Sequence, residues 1–509
     1  MVNKSLLNKG LLAAFFSVAL TFSISHKTYA STIQRFAGTN RYNTAIEISK
    51  NGWKYSSDYV VIATGESFAD ALCATPIAKK YNAPILLAYG NSLTPELSQE
   101  LSRLKVKNVF IVGGEGAVSK GIADDLKRSY NVTRLAGINR YETAVKIAEQ
   151  LGTSSRVVVA TGESFPDALS IASIAGKEGM PILLTGKDNL PECVQGYLSG
   201  KQISTTYIVG GVGVVGSSVE AKLSSVRRLA GVDRYSTNVA IINEFMNVLD
   251  FKSVFVATGD NFPDALAGSS MAAKAFAPII LTNENIPYPT RKLMNSKLDI
   301  IGVINILGGT GVISDSVASK ISREMYRVVV DPGHGGIDPG VQAFGLKEED
   351  INLAIALKLG KELEAQGVDV VFTRTTHNVS WNQELGKPAL DLQGRCDIAN
   401  TANADFFVSI HNNATIGGHG TETWYSDYNL PGKVFAEAIQ RELTKEIQLT
   451  DRGLKQGGLY VVKNTKIPAA LVEVAFLDNP TESKLLVTED FQYKAARGIA
   501  RGIVQGLTK

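Results

Sequence analysis

Cysteine is nearly absent: three residues in 509, Cys73, Cys193 and Cys396. Odd in number and widely spaced, they exclude a disulfide framework and form no Cys-x-x-Cys zinc pattern, so buried free thiols are expected. An excess of either charge is also lacking. With 52 Lys and Arg against 49 Asp and Glu, nothing calls for a nucleic-acid partner. Long apolar runs are missing except at the start. Leu11–Ile24 is apolar and follows Lys4 and Lys9, and Thr28-Tyr-Ala30 places small residues before a cleavage point at Ser31. Residues 1–30 therefore read as a secretory signal peptide, its apolar run too short to favour a stable membrane span. No second stretch of 18 apolar residues follows, and an exported protein is expected.

What the chain does have is repetition. Arg35-Phe-Ala-Gly-Thr-Asn-Arg-Tyr42 returns as Arg134-Leu-Ala-Gly-Ile-Asn-Arg-Tyr141 and Arg228-Leu-Ala-Gly-Val-Asp-Arg-Tyr235. Ala-Thr-Gly begins at Ala63, Ala160 and Ala257, a period of 97, and an Asp-Ala-Leu follows each time. Then come Pro84-Ile-Leu-Leu87, Pro181-Ile-Leu-Leu184 and Pro278-Ile-Ile-Leu281, and each unit closes on Gly113-Gly114, Gly210-Gly211 or Gly308-Gly309. A unit of this length can bury its own core, unlike a solenoid repeat of 20–50 residues. Short apolar runs alternating with amphipathic segments indicate βαβ units around parallel strands. The Pro-Ile-Leu-Leu runs read as core strands, and the paired arginines of each opening either grip an acidic polymer or pair with carboxylates between modules. Gly211-Val-Gly-Val-Val-Gly216 fits a dinucleotide fingerprint, but its sister loops end in Ser119 and Ser314, which marks a strand-to-helix turn instead.

These repeats resemble the type 2 cell-wall-binding repeats of clostridial and related Gram-positive surface proteins. The resemblance implies non-covalent attachment to an anionic wall polymer. It assigns cell-wall-binding repeats to 31–133, 134–227 and 228–325, and a place at the Gram-positive cell surface.

Residues 326–509 carry different motifs: Asp331-Pro-Gly-His-Gly-Gly336, Gly345-Leu-Lys-Glu-Glu-Asp-Ile-Asn-Leu353, Ser409-Ile-His-Asn-Asn-Ala414 and Leu471-Val-Glu-Val-Ala-Phe476. Arg327-Val-Val-Val330 and Asp405-Phe-Phe-Val-Ser-Ile410 read as buried strands, placing His334 and His411 in loops at strand ends, where α/β sheets collect their sites. Two neutral imidazoles, a carboxylate and an open position make a catalytic zinc site, and a further carboxylate supplies a base.

Taken in order, the four motifs resemble the zinc-dependent N-acetylmuramoyl-L-alanine amidases of the Amidase_3 family. That resemblance implies an α/β domain with a mostly parallel twisted sheet, one Zn2+ held by His334, Glu348 and His411, and Glu473 as the catalytic residue. It also implies a peptidoglycan substrate, cut between N-acetylmuramic acid and L-alanine. Chemistry does not choose between Glu348 and Glu349. Periodicity does: Glu348, Ile351 and Ile355 share one helical stripe, the apolar one, while Glu349 is expected to face water near the helix start. One departure stands out. The family pattern runs Thr-Arg-x-x-Asp, but here Arg374 is followed by Thr-Thr-His377 and a longer segment, 378–392. His377 and His419 read as surface-loop histidines, and Glu422 either lines the cleft or sits on a polar strand face.

Overall fold

The apolar runs read as strands become strands of largely parallel sheets. Among residues 31–508, which the computed structural model describes, the chain divides into two units between Met325 and Tyr326. The signal peptide expected over 1–30 lies outside the described residues. No helix of the described residues is long and apolar enough to cross a membrane.

The first unit holds twelve strands: β1 (Thr32–Phe36), β2 (Tyr59–Thr64), β3 (Ile85–Ala88), β4 (Asn108–Val112), β5 (Asn131–Leu135), β6 (Arg156–Thr161), β7 (Ile182–Thr185), β8 (Thr205–Val209), β9 (Val226–Leu229), β10 (Ser253–Thr258), β11 (Ile279–Thr282) and β12 (Val303–Leu307). They form three parallel four-stranded sheets, ordered β3-β2-β4-β5, β7-β6-β8-β9 and β1-β12-β10-β11. The sheets are offset from the sequence repeats. The strand that opens each repeat is handed to the sheet of the repeat before it, and β1, which has none before it, pairs with β12 of the third.

The first arginine of each opening fastens that strand to its host. Arg35 donates to the Gly308 carbonyl at 3.0 Å and pairs with Asp315 at 2.9 Å. Arg134 donates to the Gly113 carbonyl at 2.8 Å, and Arg228 to that of Gly210 at 2.7 Å. The second arginines bond the Ala-Thr-Gly turns: Arg41 donates to the Gly65 carbonyl at 2.6 Å, and Arg140 and Arg234 donate to those of Gly162 and Gly259. Of the two expected uses, pairing with a carboxylate of another repeat is seen for Arg35 with Asp315 and for Arg228 with Glu220, and all six arginines also bond a backbone carbonyl, a use that was not expected. The Ile-Leu-Leu, Ile-Leu-Leu and Ile-Ile-Leu strands β3, β7 and β11 are buried throughout.

Each sheet packs its outer face on a local core. The inner faces share one core around helices Ala74–Lys80, Pro166–Glu178 and Pro263–Ala275. Here Thr75 Oγ1 lies 2.6 Å from Ser269 Oγ, and a Cβ on Gly176 would sit 3.0 Å from that of Ala273. A 97-residue unit thus buries only one face by itself. Local sequence sets the helix ends. Pro76 lacks an N–H, so in the first repeat the α-helix starts at Ala74 after a 3₁₀ turn, leaving the proline in the first helical turn. Ser119 and Ser314 cap helices of 8 and 7 residues, whereas Gly216, with no side chain to offer, begins one of 4.

Closure by β1 has a measurable consequence. Deleting residues 31–36 removes the five paired positions of β1 and the buried Phe36 ring, worth at least about 2–3 kcal/mol from the apolar burial alone. Limited proteolysis should then cut around β12 first, and the thermal midpoint of the first unit should fall. An unchanged midpoint and digestion pattern would show that β1 is dispensable.

In the second unit, β13 (Arg327–Pro332), β14 (Gln342–Ala343), β15 (Leu346–Lys347), β16 (Asp369–Phe372), β17 (Phe406–Asn413), β18 (Thr421–Tyr425), β19 (Asp451–Gln456) and β20 (Ala469–Phe476) follow in order. Six of them make a sheet ordered β16-β13-β17-β20-β18-β19, parallel except between β18 and β20. Helices Glu348–Ala365, Leu430–Ile447 and Glu489–Leu507 cover one face, and Pro388–Thr401 with Tyr460–Asn464 the other. All three cysteines are free, with Cys73 and Cys396 buried.

Candidate metal centre

The turn after β13 places His334 at φ +61°, a left-handed conformation unusual for a residue with a side chain. A tight network holds it there. Arg395 donates to the His334 carbonyl at 2.8 Å and to Asp331 Oδ1 at 2.8 Å. Asp331, fully buried, also accepts from Thr373 and Ser409, each at 2.6 Å. Burial alone would raise the Asp331 carboxyl, but Arg395 and the two hydroxyls bring it below the usual range. Glycine is required beside the site: a Cβ on Gly333 would lie 2.2 Å from His411 Nε2.

His334, Glu348 and His411 come together, each offering a ligand atom, with all three atoms within 4.8 Å of one another. Glu348 lies between the rings: Oε2 is 3.1 Å from His334 Nε2, and Oε1 is 3.1 Å from His411 Nδ1. It also accepts from the Val341 and Asn412 amides and from Asn352 Nδ2. Burial raises its pKa, yet bonds to both histidines outweigh this and lower it. His334 shows the reverse balance: burial lowers it, while Asp338 and Glu348 carry it up to about 10. Positive charge is therefore favoured between these groups, supplied either by a proton on His334 or by a cation held by all three. Two imidazole nitrogens and a carboxylate oxygen are the donors zinc favours in catalytic sites.

Sequence reasoning passed over two supports of His334. Asp338 Oδ2 sits 2.7 Å from His334 Nδ1, turning Nε2 toward Glu348. A carboxylate four residues after a histidine was the available signal, since such partners orient metal-binding imidazoles. The other support is the segment 378–392. Gln383 accepts from the Ile337 amide at 3.0 Å and donates to the Gly335 carbonyl at 3.0 Å and to Asp391 at 2.6 Å. The unusual insertion thus braces the His334 turn.

Two expectations need correction. His411 is not in a loop: it lies inside β17, because β13 and β20 flank that strand and pairing with β20 continues through it to Asn413. Glu349 does not face water. It is 2% exposed and its Oε2 lies 2.6 Å from His377 Nδ1, because the longer loop after Arg374 folds back over it. His377 is exposed on its loop, as expected, and reaches Glu349 from there. His419 is exposed on its turn, as expected.

Glu473 stands mid-strand in β20, in register with His411 on β17 and with Glu422 on β18. Its Oε2 is buried and has no hydrogen-bond partner among the described residues. Burial pushes this carboxyl up to about 7; His411 opposes the rise, and Glu348 and Glu422 add to it. Glu422 is itself buried but satisfied, by Asn413, Trp424 and Arg452.

A candidate metal centre beside an unpartnered buried acid, at the carboxyl edge of a largely parallel sheet, defines a hydrolase-type site, here on a chain that also bears a threefold repeat unit. Residues 328–505 match the N-acetylmuramoyl-L-alanine amidase family, and residues 35–123, 134–220 and 228–318 match cell wall binding domain 2. The N-acetylmuramoyl-L-alanine amidase LytC of Bacillus subtilis (strain 168) is 36% identical over 482 residues, 93% of this chain and 94% of its own length. The structure of Cwp6 from Clostridium difficile aligns with a TM-score of 0.57 at 30% identity, covering 94% of this chain and 80% of that one. Cwp8 from the same organism gives 0.53 at 31%, over 57% and 51%. The chain belongs to the N-acetylmuramoyl-L-alanine amidase family and is a cell wall amidase with three cell-wall-binding repeats.

Proposed function

We propose that the chain is a secreted, zinc-dependent autolysin that hydrolyses the amide between N-acetylmuramic acid and L-alanine at a Gram-positive cell surface. In this reading, 31–133, 134–227 and 228–325 hold an anionic wall polymer non-covalently, and 326–509 cuts peptidoglycan. The observation that carries it is the cluster of His334, Glu348 and His411 next to the unpartnered Oε2 of Glu473. Zinc, when bound, polarises the amide carbonyl and acidifies water. Glu473 takes the proton as the water oxygen bonds to the lactyl carbonyl carbon, then returns it to the alanine nitrogen as the C–N bond breaks. Asp338 fixes the tautomer of His334, and Arg395 and Gln383 fix the turn that carries it.

Digestion of purified peptidoglycan followed by mass spectrometry tests the reaction: whole stem peptides with L-alanine amino termini are expected, sensitive to chelator and restored by zinc. Products cut within the cross-link would indicate a peptidase instead. Residues 31–325 alone should bind walls, and residues 326–509 should cleave but be retained poorly, because three weak sites acting together gain avidity. Equal wall retention by the second half would remove the division of labour.

A further inference from the structure

The polar row that begins at the metal cluster does not end at Glu473. Register aligns His411 on β17, Glu473 on β20 and Glu422 on β18 across the sheet. Arg452 on β19 continues it, donating through Nε to Glu422 Oε2 at 2.7 Å. His411, Glu473 and Glu422 are directly opposed and so share one face; the β18–β19 register shifts between Thr421 and Thr423, and it is the Arg452 side chain bonding Glu422 that carries the polar row onto β19. Its outer end is cationic and accessible. The Arg452 side chain is 36% exposed, its guanidinium lies 4.9 Å from the Phe476 ring centroid, and its Nη atoms carry no hydrogen bond among the described residues. A guanidinium fixed at Nε with both Nη groups free presents a fork suited to a carboxylate.

Scale favours a peptide along this row. Strands lie about 4.8 Å apart, which places the backbone of β19 roughly 10 Å from that of β20, and Arg452 reaches back toward Glu422. A peptide whose scissile amide sits at Glu473 carries its second residue roughly 7 Å onward, at about 3.3–3.6 Å per residue. The second residue of a peptidoglycan stem is a D-glutamate linked through its side chain, which leaves its α-carboxyl either free or amidated. We propose that Arg452 binds this free α-carboxylate, so that the enzyme prefers stems with D-glutamate over D-isoglutamine at the second position. The inference rests on the amidase reading above.

The test uses the full chain loaded with zinc and two soluble glycan fragments that differ only in that residue. Wild type should favour the D-glutamate substrate by about tenfold in kcat/KM, the scale of one charge-assisted hydrogen bond. Arg452→Gln keeps an N–H for Glu422 but loses the charge; it should raise KM for the D-glutamate substrate about tenfold and abolish the preference. Arg452→Lys should retain part of it. Wild type without preference, or Arg452→Gln with the preference intact, overturns the assignment. So does an equal loss on both substrates accompanied by loss of zinc, which would make Arg452 a purely structural partner of Glu422. If wild type releases neither peptide, the amidase reading itself fails and takes the inference with it.

Discussion

Glu473→Gln is expected to lower turnover by roughly 10²–10⁴-fold, the usual contribution of a positioned acid/base group, while zinc content and wall binding stay near wild type. Stability should move the other way. The carboxyl rises from 4.5 to about 7 on folding because it is buried, so between these pH values the native state holds a proton that the unfolded state has released. Stability contributed by that proton is complete below pH 4.5 and lost as pH passes 7. The difference corresponds to about 3 kcal/mol. In chelator, the Gln variant should therefore match wild type near pH 4.5 and exceed it near pH 8, by up to that amount. Zinc should narrow the gap, since a nearby cation favours the ionised acid. Urea unfolding at the two pH values, with and without zinc, measures all four cases. A Gln variant that keeps at least half of wild-type turnover would rule out Glu473 as the base, and Glu422 would be tried next. Loss of zinc would instead place Glu473 among the ligands.

What was legible in the sequence follows from how local each signal is. The strands over Arg327–Val330 and Asp405–Ile410 were visible because β-branched and aromatic runs mark buried strands, though their extension to Pro332 and through His411 to Asn413 was not; the helical stripe of Glu348, Ile351 and Ile355 pointed Glu348 inward. Register was not legible. Whether His411, Glu473 and Glu422 form one row depends on which strands become neighbours, and no short-range pattern encodes the order β17-β20-β18-β19. The same holds for the repeats. A period of 97 is plain, but the handing of β1 to the third sheet is a closure of the ring that a linear text does not show. Glu349 was misjudged for a related reason. Its helix position suggested water, and the loop that covers it, with His377, comes from 28 residues further along.

The pair Glu348 and Glu349 gives the sharpest test of the ligand set. Both are 2% exposed, so burial cannot tell them apart; their partners do. Glu348 lies between two imidazoles, whereas Glu349 meets His377 and, at 3.6 Å, Lys347. Glu348→Ala should weaken zinc binding by at least 10²-fold, as loss of one of three protein ligands requires more than the 10–100-fold typical of an outer-shell partner. Glu349→Ala should leave zinc affinity within about tenfold and lower stability by about 1–3 kcal/mol, the cost of breaking a buried polar contact. Protons provide an independent readout. With His334 raised to about 10, its proton stabilises the zinc-free fold fully below pH 6.5 and is lost as pH rises through 10; zinc must displace it in between. Zinc affinity of the wild type should thus climb about tenfold per pH unit from pH 7 to 9, and calorimetry in buffers of different ionisation enthalpy should register about one proton released per zinc. In Glu348→Ala that dependence should flatten, because a partner that sustains the His334 proton is gone. If Glu349→Ala loses the metal and Glu348→Ala keeps it, the ligand has been placed one residue too early.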